Sequence, residues 1–492
     1  MSDQSLPPFA STIKRFILVV VTILAATIML SSLATSWQQP QIQDRFELYQ
    51  TNLLLRASQD TPKARSPLAK SILGENPLQI ATEKYRSARQ SNARILQNLQ
   101  KSNSSPQAIA QLQELIPYLD LCLGILEASQ NHLDTARQIW QNIDPPGRQT
   151  AQVLLRLWSN PPQPALGDEP LIQGNLISWF RDQALIQLYQ AQSNTSLLNA
   201  LKTQNQSQAE AALRQLIWIS LVPSIGSLIG LLLVIFLVGQ WLWKKSNSLL
   251  GAPPPLTWST PWTNETVWEV LVGGFFLIGQ LVVPYTISHL PLDNFTTTIR
   301  GKAALVLLSY VIMALGSLGV MYVALRSFLP LPKGWFALRW RSPWWLWGFG
   351  GYLSAIPLVV IVSLLNQAIW QGQGGSNPIL PLAAQNDDTV AFGLFLLTAA
   401  LAAPVFEEII FRGFLLPSLT KNFPAWGAIS ISSLIFALAH LSLSEVLPLF
   451  TLGLILGTVY LRSGSLLAPI LLHSLWNSGT MLSIYILSQG SN

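Results

Sequence analysis

VAFGLFLLTAALAAPVFEEIIFRGFLLPSL, residues 390–419, is apolar over thirty residues except at Glu407, Glu408 and Arg412. A membrane crossing takes about 20 apolar residues over about 30 Å of hydrocarbon. As a helix the run is about 45 Å long, so it spans with length to spare and must tilt, kink or project. Pro404, three residues before Glu407, is the natural kink point, because proline removes a backbone hydrogen bond. Only helices and closed barrels satisfy their backbone in lipid. Reading this stretch as a helical span therefore settles the class of the chain. Composition agrees: half of the 492 residues are hydrophobic and 11% are charged, against roughly 25% charged in soluble domains.

Working outward, comparable runs follow at 424–443, 446–461 and 466–487. Others precede at 344–366, 303–325, 267–289, 216–243 and 16–37. The expected fold is an all-α polytopic membrane protein with about nine transmembrane helices. Lys14 and Arg15 precede the first span, and Lys244 and Lys245 end the second. Basic flanks mark the cytoplasmic side, which places the N-terminus inside and the C-terminus outside. Arg326, Lys333, Arg339, Arg341, Lys421 and Arg462 then fall inside too, whereas Arg300 and Lys302 are exceptions on an outer loop. The first apolar run exceeds the usual 7–15 residues of a signal core, so it reads as an uncleaved anchor.

The net charge of +6 is small and scattered, which speaks for the lipid bilayer as partner and against nucleic acid. Cys122 stands alone, which excludes an intrachain disulfide and a cysteine-rich metal site. Residues 38–214 are rich in Gln, Asn, Ala and Leu, at spacings that suit amphipathic helices. LGILEASQNHLDTARQIW, residues 123–140, resembles one tetratricopeptide-type helix pair, with Leu123, Gly124, Ala136 and Trp140 in register. With a single copy, a generic helical bundle is the preferred reading. The expected organisation is a cytoplasmic N-terminus (1–15), an anchor (16–37), an extracytoplasmic soluble helical domain (38–214), membrane helices (215–384) and a C-terminal membrane domain (385–488). The soluble domain is either a spacer or the contact for a protein partner.

Charges in hydrocarbon are costly and mark function. Glu408 and Arg412 stand at i and i+4 on one helical face and can neutralise each other. Glu407 lies about 100° around the helix and keeps no local cation. His440 lies deep in the run SISSLIFALAHLS, and His473 and Asn477 are again at i and i+4. Taken singly, the ion pair locks a helix end, a membrane histidine packs more often than it catalyses, and Asn477 is interhelical glue. Taken together within about seventy residues, they satisfy one another only if their helices converge, and that inventory is an active site. Glu407 then suits a general base acting on water. His440 would orient that water or a metal, and His473 and Asn477 would donate to an oxyanion. Ser474 points away from His473, and the H-E-x-x-H zinc signature is absent. Zinc held by Glu407, His440 and His473 stays open beside a metal-free glutamate mechanism.

EExxxR (Glu407, Glu408, Arg412), FxxxH (Phe436, His440) and HxxxN (His473, Asn477), in this order on separate helices, resemble the CPBP family. These are the CAAX-protease and bacteriocin-processing intramembrane endopeptidases. LRSGSLLAPILLHSLWN resembles the family between its second and third motifs. The likeness covers about residues 385–488 and leaves out 38–214. An anchor with a helical domain looks like the version found in cyanobacteria. The resemblance implies Glu407 as the water-activating glutamate and Glu408 as its neighbour, paired with Arg412. It implies His440 as the second-motif histidine, His473 and Asn477 as the oxyanion pair, and a membrane protein or peptide as substrate. Fold does not transfer substrate, and nothing in the sequence singles out prenylated ones. The alternative is a non-proteolytic scaffold or regulator binding a partner through 38–214. A proton-coupled carrier would want repeated halves, of which the sequence shows none.

Overall fold

Residues 8–37, 39, 41–59, 63, 64, 66–102, 106–251, 258–292, 295–370, 372–377, 379–384 and 388–489 are described by the computed structural model. The start of the N-terminal segment and residues 385–387 of the expected C-terminal domain lie outside them. The chain is a succession of helices. They are α1 (Pro8–Ser36), α2 (Ile42–Ala57), α3 (Pro67–Leu73), α4 (Pro77–Ser102), α5 (Pro106–Ser129), α6 (Leu133–Gln141), α7 (Arg148–Leu157), α8 (Asp168–Asn175), α9 (Ser178–Ala191) and α10 (Thr195–Lys244). Then come α11 (Asn264–Ser288), α12 (Ile299–Leu325), α13 (Trp344–Trp370) and α14 (Ile379–Ala384). The last four are α15 (Thr389–Leu419), α16 (Ala425–Leu438), α17 (Leu443–Ser463) and α18 (Leu467–Gln489).

Among the described residues, nine helices are long and apolar enough to cross a membrane, so this is an integral multi-pass protein. Eight coincide with the runs read from sequence. One expected run and one of the nine helices do not match each other. The expected span 424–443 is the 14-residue helix α16, about 21 Å long and short of the hydrocarbon thickness. The ninth helix is α5, whose acids are paired: Asp120 takes two bonds from Arg89 at 3.0 and 3.2 Å, and Glu127 takes one from Arg86 at 2.7 Å. The second span, read from about Leu216, continues an earlier helix. It is the distal part of α10, an unbroken 50-residue helix.

The chain divides into two units. One comprises Gln38–Ser224 with two short segments, Trp370–Ser376 and Ser483–Asn492. Its core gathers Leu119, Ile125, Leu126, Trp140, Leu154, Phe180 and Leu188, all at most 2% exposed. The α5–α6 pair is tight because Gly124 has no side chain: a Cβ there would lie 2.0 Å from Trp140 Nε1. Trp140 Nε1 donates to the Leu121 carbonyl at 3.3 Å, so the indole cannot simply swing aside. Gly124→Ala should therefore destabilise this unit by about 1–3 kcal/mol through overpacking. Thermal unfolding of the purified full chain would show a lowered midpoint; an unchanged midpoint would refute the packing argument.

The other unit comprises α1, Ile225–Ile369 and Asn377–Leu482. Leu228, Leu232, Ile235 and Leu242 of α10, and Leu364 and Leu365 of α13, lie exposed, as lipid-facing side chains should. Its centre is α15. Phe406, Ile410, Phe411, Phe414 and Leu415 pack with Val270 and Phe275 of α11 and with Phe436 of α16. The excess length of α15 is absorbed by two wide π turns, Thr398–Ala402 and Ile409–Leu415. Each is followed by a proline, Pro404 or Pro417, near the start of the next α segment. Such bulges accommodate missing backbone donors and recur at functional sites. Asp388 caps α15, accepting from Val390 N at 2.9 Å and Ala391 N at 3.1 Å. Arg300 donates to the same carboxylate at 2.6 Å. The Arg300 hydrogen bond first, then the Ala391 N–H, hold the Asp388 carboxyl below its usual value. This pairing gives Arg300, one of the two basic residues that break the charge pattern, an anionic partner.

Two glycines one turn apart, Gly453 and Gly457, bring α17 against α16. A Cβ would lie 2.8 Å from Ser433 Cβ at the first and 2.9 Å from Ile429 Cγ2 at the second. Small residues at this spacing let membrane helices approach closely. The approach also bares the Gly453 carbonyl, which the site uses.

Candidate active site

Glu408 and Arg412 form the expected i,i+4 pair, with Arg412 Nη1 2.9 Å from Glu408 Oε1 and side chains 0% and 1% exposed. Arg412 is further held by the Gly453 carbonyl, 3.2 Å from Nη2, and its guanidinium lies 4.6 Å from the Phe436 ring centroid. A buried charge needs such company, because its desolvation otherwise outweighs the Coulomb gain. The pair is larger than the sequence indicates. His473 Nδ1 lies 2.8 Å from the same Glu408 Oε1. The ionised carboxylate only accepts, so Nδ1 carries the proton and the ring orientation is fixed. Arg412, Glu408 and His473 thus form one connected chain.

Glu407 is set apart from it, as its position on the helix requires. Its Oε1 accepts from the Tyr310 hydroxyl of α12 at 2.9 Å. Its Oε2 is buried and has no hydrogen-bond partner among the described residues. That oxygen lies 3.9 Å from His473 Nε2, too long for a direct bond. His473, expected to pair with Asn477 across an oxyanion, is thus also the link between the two glutamates.

His440 is not inside a helix. It stands in the turn after α16, and its Nδ1 bonds the Phe436 carbonyl at 2.8 Å, closing the last turn. A carbonyl only accepts, so Nδ1 carries the proton and Nε2 keeps its lone pair. The rings of His440 and His473 both pack edge-on with Phe436, with centroids 4.9 and 5.8 Å from its own. The FxxxH spacing therefore sets an aromatic ring against both imidazoles as well as a histidine at a helix end. Five residues on, Glu445 accepts from the Asn377 backbone at 2.8 Å. Among the described residues no three potential ligands form a metal-holding group. No step below is routed through a metal.

Asn477 donates to the Ala399 carbonyl at 2.7 Å. The reason lies in the π turn. The Ala403 N–H is spent on Thr398 O, and Pro404 has none, so Ala399 O lacks a donor from its own helix. Asn477→Ala should leave that carbonyl unsatisfied and cost about 1–3 kcal/mol. The loss should shrink when Pro404→Ala restores a backbone N–H, which a denaturation double-mutant cycle would measure; strictly additive losses would contradict this account. Sequence reasoning missed Tyr310 and Gly453. A tyrosine within an apolar run is ordinary, but the Gly453–Gly457 spacing was a readable sign of close helix approach.

Residues 389–479 match the family described as type II CAAX prenyl endopeptidase, Rce1-like. The match includes Glu407, Glu408, Arg412, His440, His473 and Asn477, and excludes Tyr310. A protein of Escherichia coli described as an uncharacterized 24.3 kDa protein is 40% identical over 85 residues. That likeness spans 16% of this chain and 39% of the relative. No solved structure matches the chain.

Proposed function

From residues 389–479, a domain of the CAAX-protease and bacteriocin-processing family, we propose that this chain is an intramembrane endopeptidase. Its substrate is a membrane-associated protein or peptide, cut with water activated by Glu407. The supporting observation is the asymmetry of that carboxylate: Oε1 is held by Tyr310, while Oε2 is unpartnered and 3.9 Å from His473 Nε2. Oε2 takes a proton from water as the water oxygen bonds the scissile carbonyl carbon. The C=O electron pair moves to oxygen, where His473, donating from Nε2, and the second amide hydrogen of Asn477 stabilise the charge. As the intermediate collapses, the C–N bond breaks and Glu407 returns its proton to the departing amine. His440 accepts a hydrogen bond from the attacking water at Nε2. Glu408 holds the orientation of the His473 ring, and Arg412 holds Glu408.

The basic flanks support a cytoplasmic N-terminus, with residues 38–214 extracytoplasmic. The helical unit then faces the aqueous space, where it contacts a protein partner or the substrate's soluble part. Comparing the N-termini and C-termini of membrane proteins in cells carrying wild type or Glu407→Gln would identify the substrate. We expect at least one membrane protein to accumulate uncleaved in the variant; identical terminal profiles would sink the protease reading.

A further inference from the structure

We infer that Tyr310 is a positioning residue for the reaction, aiming Glu407 at the water it activates. The inference rests on the reading of Glu407 as the base and deepens it. Two adjacent carboxylates share this part of α15, yet Arg412 donates to Glu408 and the Gly453 carbonyl. No cation hydrogen-bonds Glu407 among the described residues. A buried carboxylate needs a donor, and a phenol supplies one without adding charge. Tyr310 comes from α12, not from α15, so the bond at 2.9 Å ties the glutamate to a second helix. Its ring packs edge-on against Phe406, the neighbour of Glu407, with centroids 6.1 Å apart. Ring and hydroxyl together fix both the backbone position and the rotation of the carboxylate. With Oε1 taken, Oε2 is the oxygen turned toward His473 Nε2. The phenol thus decides which oxygen meets the water. It lies outside the segment that carries the family likeness, so helices before residue 389 contribute to the site.

Tyr310→Phe keeps the ring and removes only the donor. The test uses the full chain in phosphatidylcholine vesicles and two readouts. Infrared difference spectra against Glu407→Gln isolate the Glu407 carboxylate band, and Tyr310→Phe should shift that band. Cleavage of a farnesylated peptide with a CAAX terminus should show kcat reduced about 10- to 100-fold with KM nearly unchanged, as expected of a misaimed base. In a Glu407→Gln background, Tyr310→Phe should cost nothing further. An unshifted band would overturn the hydrogen bond. A shifted band with kcat intact would overturn the positioning role while leaving Glu407 as the base. Full cleavage by Glu407→Gln would overturn both the reading of the site and this inference.

Discussion

Glu407→Gln should abolish peptide cleavage while the protein still inserts and folds. Glutamine keeps the shape, and its amide oxygen can still accept from Tyr310, so packing against Phe406 survives. What is lost is a group that can take a proton from water. Removing a general base costs typically 10²–10⁴ in rate, so turnover of the farnesylated CAAX peptide should fall by about that factor. Thermal unfolding should move little, because Glu407 is not part of the Arg412–Glu408–His473 chain. A scaffold acting through residues 38–214 predicts the opposite: Glu407→Gln is silent, and deletion of that region is not.

Arg412→Met should produce the largest loss of stability. It takes the cation from Glu408, which is 0% exposed, and removes the guanidinium bond to the Gly453 carbonyl. Breaking a buried pair from one side costs about 3–5 kcal/mol, which unfolding of the purified protein in sodium dodecyl sulfate titrations would register. Adding Glu408→Leu removes the stranded charge, and the double variant should regain most of the stability, as hydrophobic replacement of buried pairs often does. Activity should not return. His473 Nδ1 would have lost its acceptor, and with it the orientation of the ring. Stability restored without activity separates the two roles of Glu408; joint recovery would show that the pair is structural alone.

How much of this the sequence reveals follows from the range of each interaction. The spans are legible because lipid demands long apolar runs, and Glu408–Arg412 is legible because i,i+4 pairing is local. The link from Glu408 to His473 crosses 65 positions, and the bond from Tyr310 to Glu407 crosses 97. Neither leaves a mark in residue spacing. His440 was placed within a span because the apolar character of ALAHLSL continues beyond Leu438, whereas the helix stops there. The bond of Asn477 to Ala399 depends on a π turn before Pro404, and hydropathy does not distinguish π from α. The helix α5 shows the converse. Its composition suits a membrane, and only its pairing with Arg86 and Arg89 of α4 shows where its charged face is spent.

The account stands on water, not an enzyme group, attacking the scissile carbonyl under Glu407. A single turnover of the farnesylated peptide by the reconstituted chain in heavy-oxygen water tests this directly. Mass spectrometry of the first-formed product should find one heavy oxygen in its new carboxylate and none in Glu407. Heavy oxygen in Glu407, with ordinary oxygen in that first product, would show that the glutamate itself attacks, and would contradict the mechanism.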